Sequence, residues 1–411
     1  MKRKVLIAIA DGVGDLPISE LNNLTPLEYA KTPTLDNLAK NGSSGIMDLV
    51  KAGVPVGTDM GHLMLFGYEP KDYPGRGPIE AAGIGVQVRK GDVAFRSNFG
   101  TIDDSGLVLD RRAGRIREKT DELAASLNDM EIDGVKIFFK EATEHRAVLI
   151  LRGENLSDQV SDTDPRLPDR GLTYQLATPL NDSQAAKKTA DILNKVLQKF
   201  HEILKDHPVN KERIAAGLPP ANFILTRGAG QVPDIDPITE RLGFKGACVA
   251  SESTVLGVAN IAGYSLIHQV GMTGNLDTDV KLKAKLAIEA LETNDIVFVH
   301  LKVPDLMGHD NNPLGKVAAI EKFEEMLSYI VAARPENTLI ALAADHSTPC
   351  QRKEHSGDPV PIVFNGPSVR IDRNDKYNEI DCAYGGMNRI SGSDFASLVF
   401  DYLELTVKQG N

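Results

Sequence analysis

The chain lacks what would place it across a membrane, in an oxidising compartment or on a nucleic acid. No apolar run approaches the ~20 residues that span a bilayer. The apolar part of the N-terminal MKRKVLIAIADG covers only Val5–Ala10. That is too short for the h-region of a signal peptide, and no small-residue cleavage site follows. The three cysteines, Cys248, Cys350 and Cys382, form no CxxC pair and no zinc spacing. They fit free thiols in a reducing interior. Basic residues are in deficit: 46 Lys and Arg stand against 57 Asp and Glu, a net charge of −11. That balance argues against nucleic acid or a membrane surface as partner. It leaves room for a small anionic substrate, because a local Arg cluster can override the global field. Repeats and low-complexity tracts are also missing. The expectation is a cytoplasmic protein whose partner is a small molecule; the oligomeric state is left open.

What is present is an ordinary globular composition, 42% apolar and 25% charged. A length of 411 residues suggests two domains. Val5–Ala10 reads as a buried strand ending in Asp11-Gly12. Pro33–Lys40 reads as a helix with Thr32 as its cap and Pro33 at its first position. Gly42–Val50 follows as a strand, and Thr58 stands where a turn enters a helix that Gly67 ends. From about Gly83 the texture changes to short strands, Val86–Val88, Val93–Asn98, Lys136–Phe139 and Ala147–Leu151, divided by Gly and Asp turns. Residues 153–182 read as loop, Gln184–Lys205 as helix and Ala221–Thr226 as strand. From about Pro233 helices and strands alternate again, with strong strands at Asp295–Leu301 and Thr338–Ala344 and a helix at Val317–Ala333. This spacing predicts one α/β domain with a mainly parallel sheet, built from 1–82 and 233–411. A smaller α+β domain, 83–232, interrupts it.

Three predicted strands end in acids or imidazoles: Asp11 after the first, Asp305 and His309 after the second, Asp345-His346 after the third. Parallel neighbours would set these ends ~5 Å apart along one rim, where open α/β sheets hold their ligands. Asp305 and His309 are four apart and would stack on one helical turn. His355 could reach the rim from the next loop. Singly, each has a plain reading as strand-end cap, surface pair or turn residue. Jointly, three carboxylates and three imidazoles without thiolates suit hard or borderline ions such as Mn²⁺, Zn²⁺ or Mg²⁺. Two such ions could clamp a phosphoryl transfer. Thr58, at a helix start where anions are favoured, is the candidate nucleophile. Its plain reading is an N-cap.

With these residues in view, the chain resembles the cofactor-independent phosphoglycerate mutases, archaeal type, of the alkaline phosphatase superfamily. The likeness rests on Asp11-Gly12-Val13-Gly14-Asp15, GTDMGHLMLFGYEP at 57–70, PDLMGHD at 304–310, ADHSTP at 344–349 and KEHSGDPVP at 353–361. It implies an alkaline-phosphatase-like core and two divalent metal sites. One would be Asp305, His309 and His355; the other Asp11, Thr58, Asp345 and His346. The ions would be Mn²⁺, with Mg²⁺, Co²⁺ or Zn²⁺ as alternatives, and no 2,3-bisphosphoglycerate would be needed. Thr58 would be transiently phosphorylated, where the family commonly has Ser. The inserted domain would close over the substrate, with Arg111, Arg112, Arg115, Arg146 and Arg227 to grip phosphoglycerate and His145 to move protons. Lys302 would help neutralise phosphate. A phosphatase, a phosphonate hydrolase or a phosphopentomutase on the same scaffold would carry the same core motifs.

Overall fold

The computed structural model describes residues 2–165, 172–232 and 236–410. The chain divides into two compact units, Met1–Tyr73 with Asp236–Asn411, and Pro74–Ile235. Its strands, in chain order, are β1 (Lys4–Ala10), β2 (Ser43–Asp48), β3 (Val93–Ile102), β4 (Val108–Asp110), β5 (Met130–Ile132), β6 (Val135–Glu141), β7 (Arg146–Arg152), β8 (Phe223–Gly230), β9 (Gly246–Val249), β10 (Ser265–Ile267), β11 (Ile296–Leu301), β12 (Thr338–Ala343), β13 (Val360–Asn365) and β14 (Asn388–Ser391).

The first unit holds an eight-stranded sheet among the described residues, in the order β10-β9-β11-β1-β12-β13-β2-β14. The half from β10 to β12 is parallel. The other half is mixed, with β13 antiparallel to both β12 and β2. β11 and β12 are buried along their whole length, and β1 from its second residue on. Both faces of a parallel sheet are covered by helices, so such strands are apolar throughout rather than alternating. That is why they read as continuous apolar runs. β1 lies between β11 and β12, with Ile9 opposite both His300 and Ala343. The three carboxyl ends are therefore level, and Asp11 N donates to Leu301 O at 3.0 Å just past them.

The second unit is built on an antiparallel sheet, β4-β3-β7-β6-β5, with β8 also paired to β3. The helix Gln184–Lys205 packs Ala190, Leu193, Leu197 and Phe200 into its core beside Phe95, Phe99, Phe139 and Phe223. Three expectations need correction. Residues 86–88 form no strand: Val86 and Val88 belong to the loop that packs against Val148 and Ile150. The helix Arg76–Gly83 was placed with the core domain, yet Gly77 lies so close to Ala94 of β3 that a Cβ would meet its carbonyl carbon at 2.3 Å. Thr32 precedes the helix Pro33–Lys40 but makes no side-chain capping bond among the described residues. The expected junction at Pro233 lies outside the described residues, as does part of the expected loop, 166–171.

Candidate active site

Thr58 opens the helix Thr58–Leu65, with Gly57 as its N-cap in an extended conformation. Thr58 is the first helical residue and not the cap, so its plain reading as an N-cap does not hold. Its Oγ1 instead lies 3.3 Å from His346 Nε2. The hydroxyl thus faces the strand ends, and the helix start adds backbone N–H groups and a favourable dipole for an anion.

Around it, Asp11, Asp345 and His346 converge, all buried. His346 Nε2 is 3.2 Å from Asp345 Oδ2 and 3.5 Å from Asp11 Oδ1. The other His346 nitrogen, Nδ1, contacts Thr348 Oγ1 at 3.0 Å. Asp345 Oδ1 accepts from Gly12 N, while Oδ2 has no hydrogen-bond partner among the described residues. Burial works against the Asp345 charge, but His346 and His62 beside it hold its carboxyl well below the usual range.

The second group is centred on Asp305, in the short helix Val303–His309. His309 Nε2 and His355 Nε2 each stand 3.4 Å from Asp305 Oδ1 and 3.2 Å from one another. Their Nδ1 atoms are engaged elsewhere, donating to Lys353 O and Val56 O at 2.9 and 2.8 Å. Both rings are thereby fixed in the tautomer that leaves Nε2 a lone pair. The two groups adjoin, since the His346 and His355 rings stack at 3.6 Å. Burial opposes ionisation of Asp305, yet the His355 imidazole and the Lys302 ammonium beside it pull its carboxyl far down. Lys302, expected to help neutralise phosphate, bridges the groups, 3.1 Å from Asp11 Oδ2 and 2.7 Å from Asp305 Oδ2. Those two acids outweigh its burial and keep it charged.

Within the second unit, Arg96, Arg146 and Arg227 share a face of the sheet. Arg96 is opposite Arg227, and Arg146 is opposite Asn98, two residues along β3 from Arg96. Burial and the neighbouring arginines push Arg96 down to about 10 against the pull of Glu80. His145 is buried beside them, pushed down to about 4 by burial and then by Arg146 and Arg112. It is therefore neutral at pH 7. Arg111, an expected substrate contact, has its Nε 2.6 Å from Asp164 Oδ1 and its Nη2 2.7 Å from Asp164 Oδ2, a buried two-pronged pair within the unit. Arg115 is exposed in a tight turn at φ 53°.

Sequence reasoning missed three residues. His62 follows Thr58 by one helical turn, His300 is the polar residue in the apolar IVFVHL, and Arg96 stands in the strand VAFRSNF. Each is a polar residue at a core-patterned position, and that mismatch was the available signal.

A family model described as 2,3-bisphosphoglycerate-independent phosphoglycerate mutase matches residues 39–210. The protein of that name from Methanobrevibacter smithii is 44% identical over 413 residues, covering 99% of this chain and 100% of its own. One from Methanocaldococcus jannaschii is 45% identical over 403 residues, 97% of each. The chain belongs to this mutase family. Among solved structures, the cofactor-independent phosphoglycerate mutase of Thermoplasma acidophilum shares 33% identity over 98% of this chain and 100% of its own, at a TM-score of 0.75. A Pyrococcus horikoshii protein matches over 100% of both chains with 37% identity and a TM-score of 0.86.

The donors of this family member fit divalent cations. Asp11, Asp345 and His346 each offer an atom within 4.8 Å of the others, as do Asp305, His346 and His355. His309 and His355 bring their Nε2 atoms to 3.2 Å of one another with both Nδ1 atoms engaged on carbonyls, which leaves the pair of Nε2 atoms as the groups to ligate a cation. Asp345 Oδ2, beside His346 Nε2 and His62 Nδ1 at 3.2 and 3.3 Å but without a well-formed hydrogen bond among the described residues, is open to the same. Oxygen and imidazole without thiolate favour hard or borderline ions.

Proposed function

We propose that this protein interconverts 3-phosphoglycerate and 2-phosphoglycerate through a phospho-Thr58 intermediate, without 2,3-bisphosphoglycerate, in cytoplasmic glycolysis and gluconeogenesis. The observation that carries the reading is the Thr58 hydroxyl, at the first position of its helix and 3.3 Å from His346 Nε2. Membership of the family supplies the substrate class. Among the described residues no helix is long and apolar enough to cross a membrane.

Asp305, His309 and His355 would hold one cation, and Asp11, Thr58, Asp345 and His346 the other. Bound there, the ions neutralise phosphate and favour the ionised Thr58 hydroxyl. Mn²⁺ is our assignment, with Mg²⁺, Co²⁺ or Zn²⁺ as alternatives. Thr58 Oγ attacks phosphorus in line, the bond to the substrate's O3 breaks, and O3 takes a proton. Glycerate then turns, its O2 attacks the same phosphorus, the bond to Thr58 Oγ breaks, and O2 gives up its proton. His145, neutral at pH 7, can carry that proton. Arg146 and Arg227, with Arg112 and the newly found Arg96, bind the substrate's carboxylate and phosphate. Guanidinium forks suit both groups. Holding glycerate while water is kept out separates a mutase from a phosphatase.

The test is phosphorus NMR of 3-phosphoglycerate incubated with the protein and Mn²⁺, with no bisphosphoglycerate added. The expected result is accumulation of the 2-isomer. Release of inorganic phosphate faster than isomerisation would overturn the mutase reading in favour of a hydrolase.

A further inference from the structure

Two imidazoles lie behind the Asp11–Thr58–Asp345–His346 group without belonging to it. His62 and His300 are fully buried. His62 Nδ1 donates to the carbonyl of Thr58, one turn back on the same helix, at 2.8 Å. The same nitrogen stands 3.3 Å from Asp345 Oδ2. His300 points from β11 towards β1, and its Nε2 donates to Asp11 Oδ2 at 2.8 Å. The two rings meet edge to face, with centroids 5.1 Å apart. The remaining nitrogens, His62 Nε2 and His300 Nδ1, are buried and have no hydrogen-bond partner among the described residues.

An unmade bond at a buried nitrogen costs about 1–3 kcal/mol. An apolar side chain in either place would avoid that penalty. What offsets it is the single bond each imidazole makes, and both bonds end on a residue of the same group. Lys302 and Thr348 Oγ1 serve both groups, since Lys302 reaches Asp11 and Asp305 and Thr348 Oγ1 contacts His346 and Asp305. The bonds of His62 and His300 end only on residues of the first group, whereas His309 and His355 are held by Lys353 O and Val56 O.

We propose that His62 and His300 are positioning residues for the cation held by Asp11, Thr58, Asp345 and His346, and not for its neighbour. His300 turns Asp11 so that Oδ1 remains available to the ion. His62 fixes the backbone of Thr58 and stands behind Asp345. This inference rests on the two-cation reading above.

The experiment is equilibrium titration of the full chain with Mn²⁺, with free Mn²⁺ followed by electron paramagnetic resonance. At His300 two amides separate position from polarity. The Gln amide nitrogen falls near imidazole Nε2, and the shorter Asn amide falls near Nδ1. His300→Gln therefore keeps the bond to Asp11, while His300→Asn loses it. At His62, where Nδ1 is the donor, the order reverses: His62→Asn keeps the bond and His62→Gln loses it. The expected result is two ions in the parent protein. In His300→Asn and His62→Gln, one ion should be weakened about 10- to 100-fold and the other unchanged. His300→Gln and His62→Asn should recover most of the loss. Thermal melting checks that each variant is folded. Two ions of unchanged affinity in all four variants would overturn the positioning role and leave the two-cation reading standing. So would equal weakening of both ions in folded protein. A parent protein that takes up fewer than two ions would overturn both.

Discussion

At Thr58 one hydroxyl carries the proposed chemistry, and its neighbours explain why a β-branched residue is tolerated there. The methyl group sits in the first turn of a helix, while Oγ1 keeps its direction towards His346 Nε2. Thr58→Ala removes the oxygen and little else, so interconversion should fall at least about 10³-fold, with the melting temperature nearly unchanged. Thr58→Ser should restore turnover. Ordinary activity in Thr58→Ala would take this residue out of the mechanism. A second prediction concerns Glu379, whose carboxylate accepts from Thr25 Oγ1 and Asp15 N. Burial pushes it up to about 7 from 4.5. The folded state thus holds this proton more tightly than the unfolded chain does. The resulting stability is complete below pH 4.5 and is lost as pH rises through 7, at most ~3 kcal/mol. Denaturant melts at pH 5 and pH 8 should show a larger loss in the parent protein than in Glu379→Gln. At this scale the acids and imidazoles at strand ends were legible, because a polar residue closing an apolar run has few other reasons to be there. His62 and His300 were not, since a lone histidine inside an apolar segment reads as core. The pairing of Arg111 with Asp164 was not legible either, because the two are 53 residues apart.

Elements bring these residues together through close backbone approach. Gly61, in the helix Thr58–Leu65, sits against the end of β12: a Cβ there would lie 2.2 Å from Asp345 O and 2.9 Å from Asp345 Cβ. Neither neighbour is the far end of a flexible chain, so the helix must move. In an unconstrained helix Gly→Ala would stabilise by about 1 kcal/mol. Here Gly61→Ala should displace Thr58 and lower turnover, about 10²-fold for a shift near 1 Å. Circular dichroism should remain that of a folded protein. A more stable and fully active variant would show that the contact does not hold the helix in place. Gly12 has a similar role at the end of β1, where its φ of +62° and the Asp305 Cα at 2.9 Å exclude a side chain. The buried parallel strands were readable because both faces are covered, so every position is apolar. The mixed half of the sheet was not: β14 has four residues and none of them is buried, and the pairing of β13 and β14 with β2 joins segments far apart in the chain. The helix Pro313–Ala333 begins four residues before its expected start, although Asn312 caps Gly315 N and Pro313 fills the first position. That signal was present and unused.

On the scale of the whole molecule, the two ends of the chain build one unit and the middle builds another. The halves of the first unit are joined side by side where the middle leaves and returns: Ile238 N donates to Tyr68 OH at 3.1 Å. The proposed cation ligands all lie in this first unit, whereas His145 and the proposed arginines lie in the second. The proposed reading assigns chemistry to the first unit and retention of the substrate to the second. Residues 1–73 and 236–411 joined by a short Gly/Ser linker should then fold cooperatively, bind Mn²⁺ and hydrolyse a simple phosphate ester such as p-nitrophenyl phosphate. They should not interconvert the phosphoglycerates, because glycerate would escape before it could take the phosphoryl group back. The readouts are a calorimetric melt, Mn²⁺ titration and phosphorus NMR on the same preparation. Interconversion by this shortened protein would show that the first unit alone retains glycerate, and the arginines and His145 would lose their assigned part. Mn²⁺ binding lost together with the middle unit would instead mean that the ligands named here are not the whole of the metal centre.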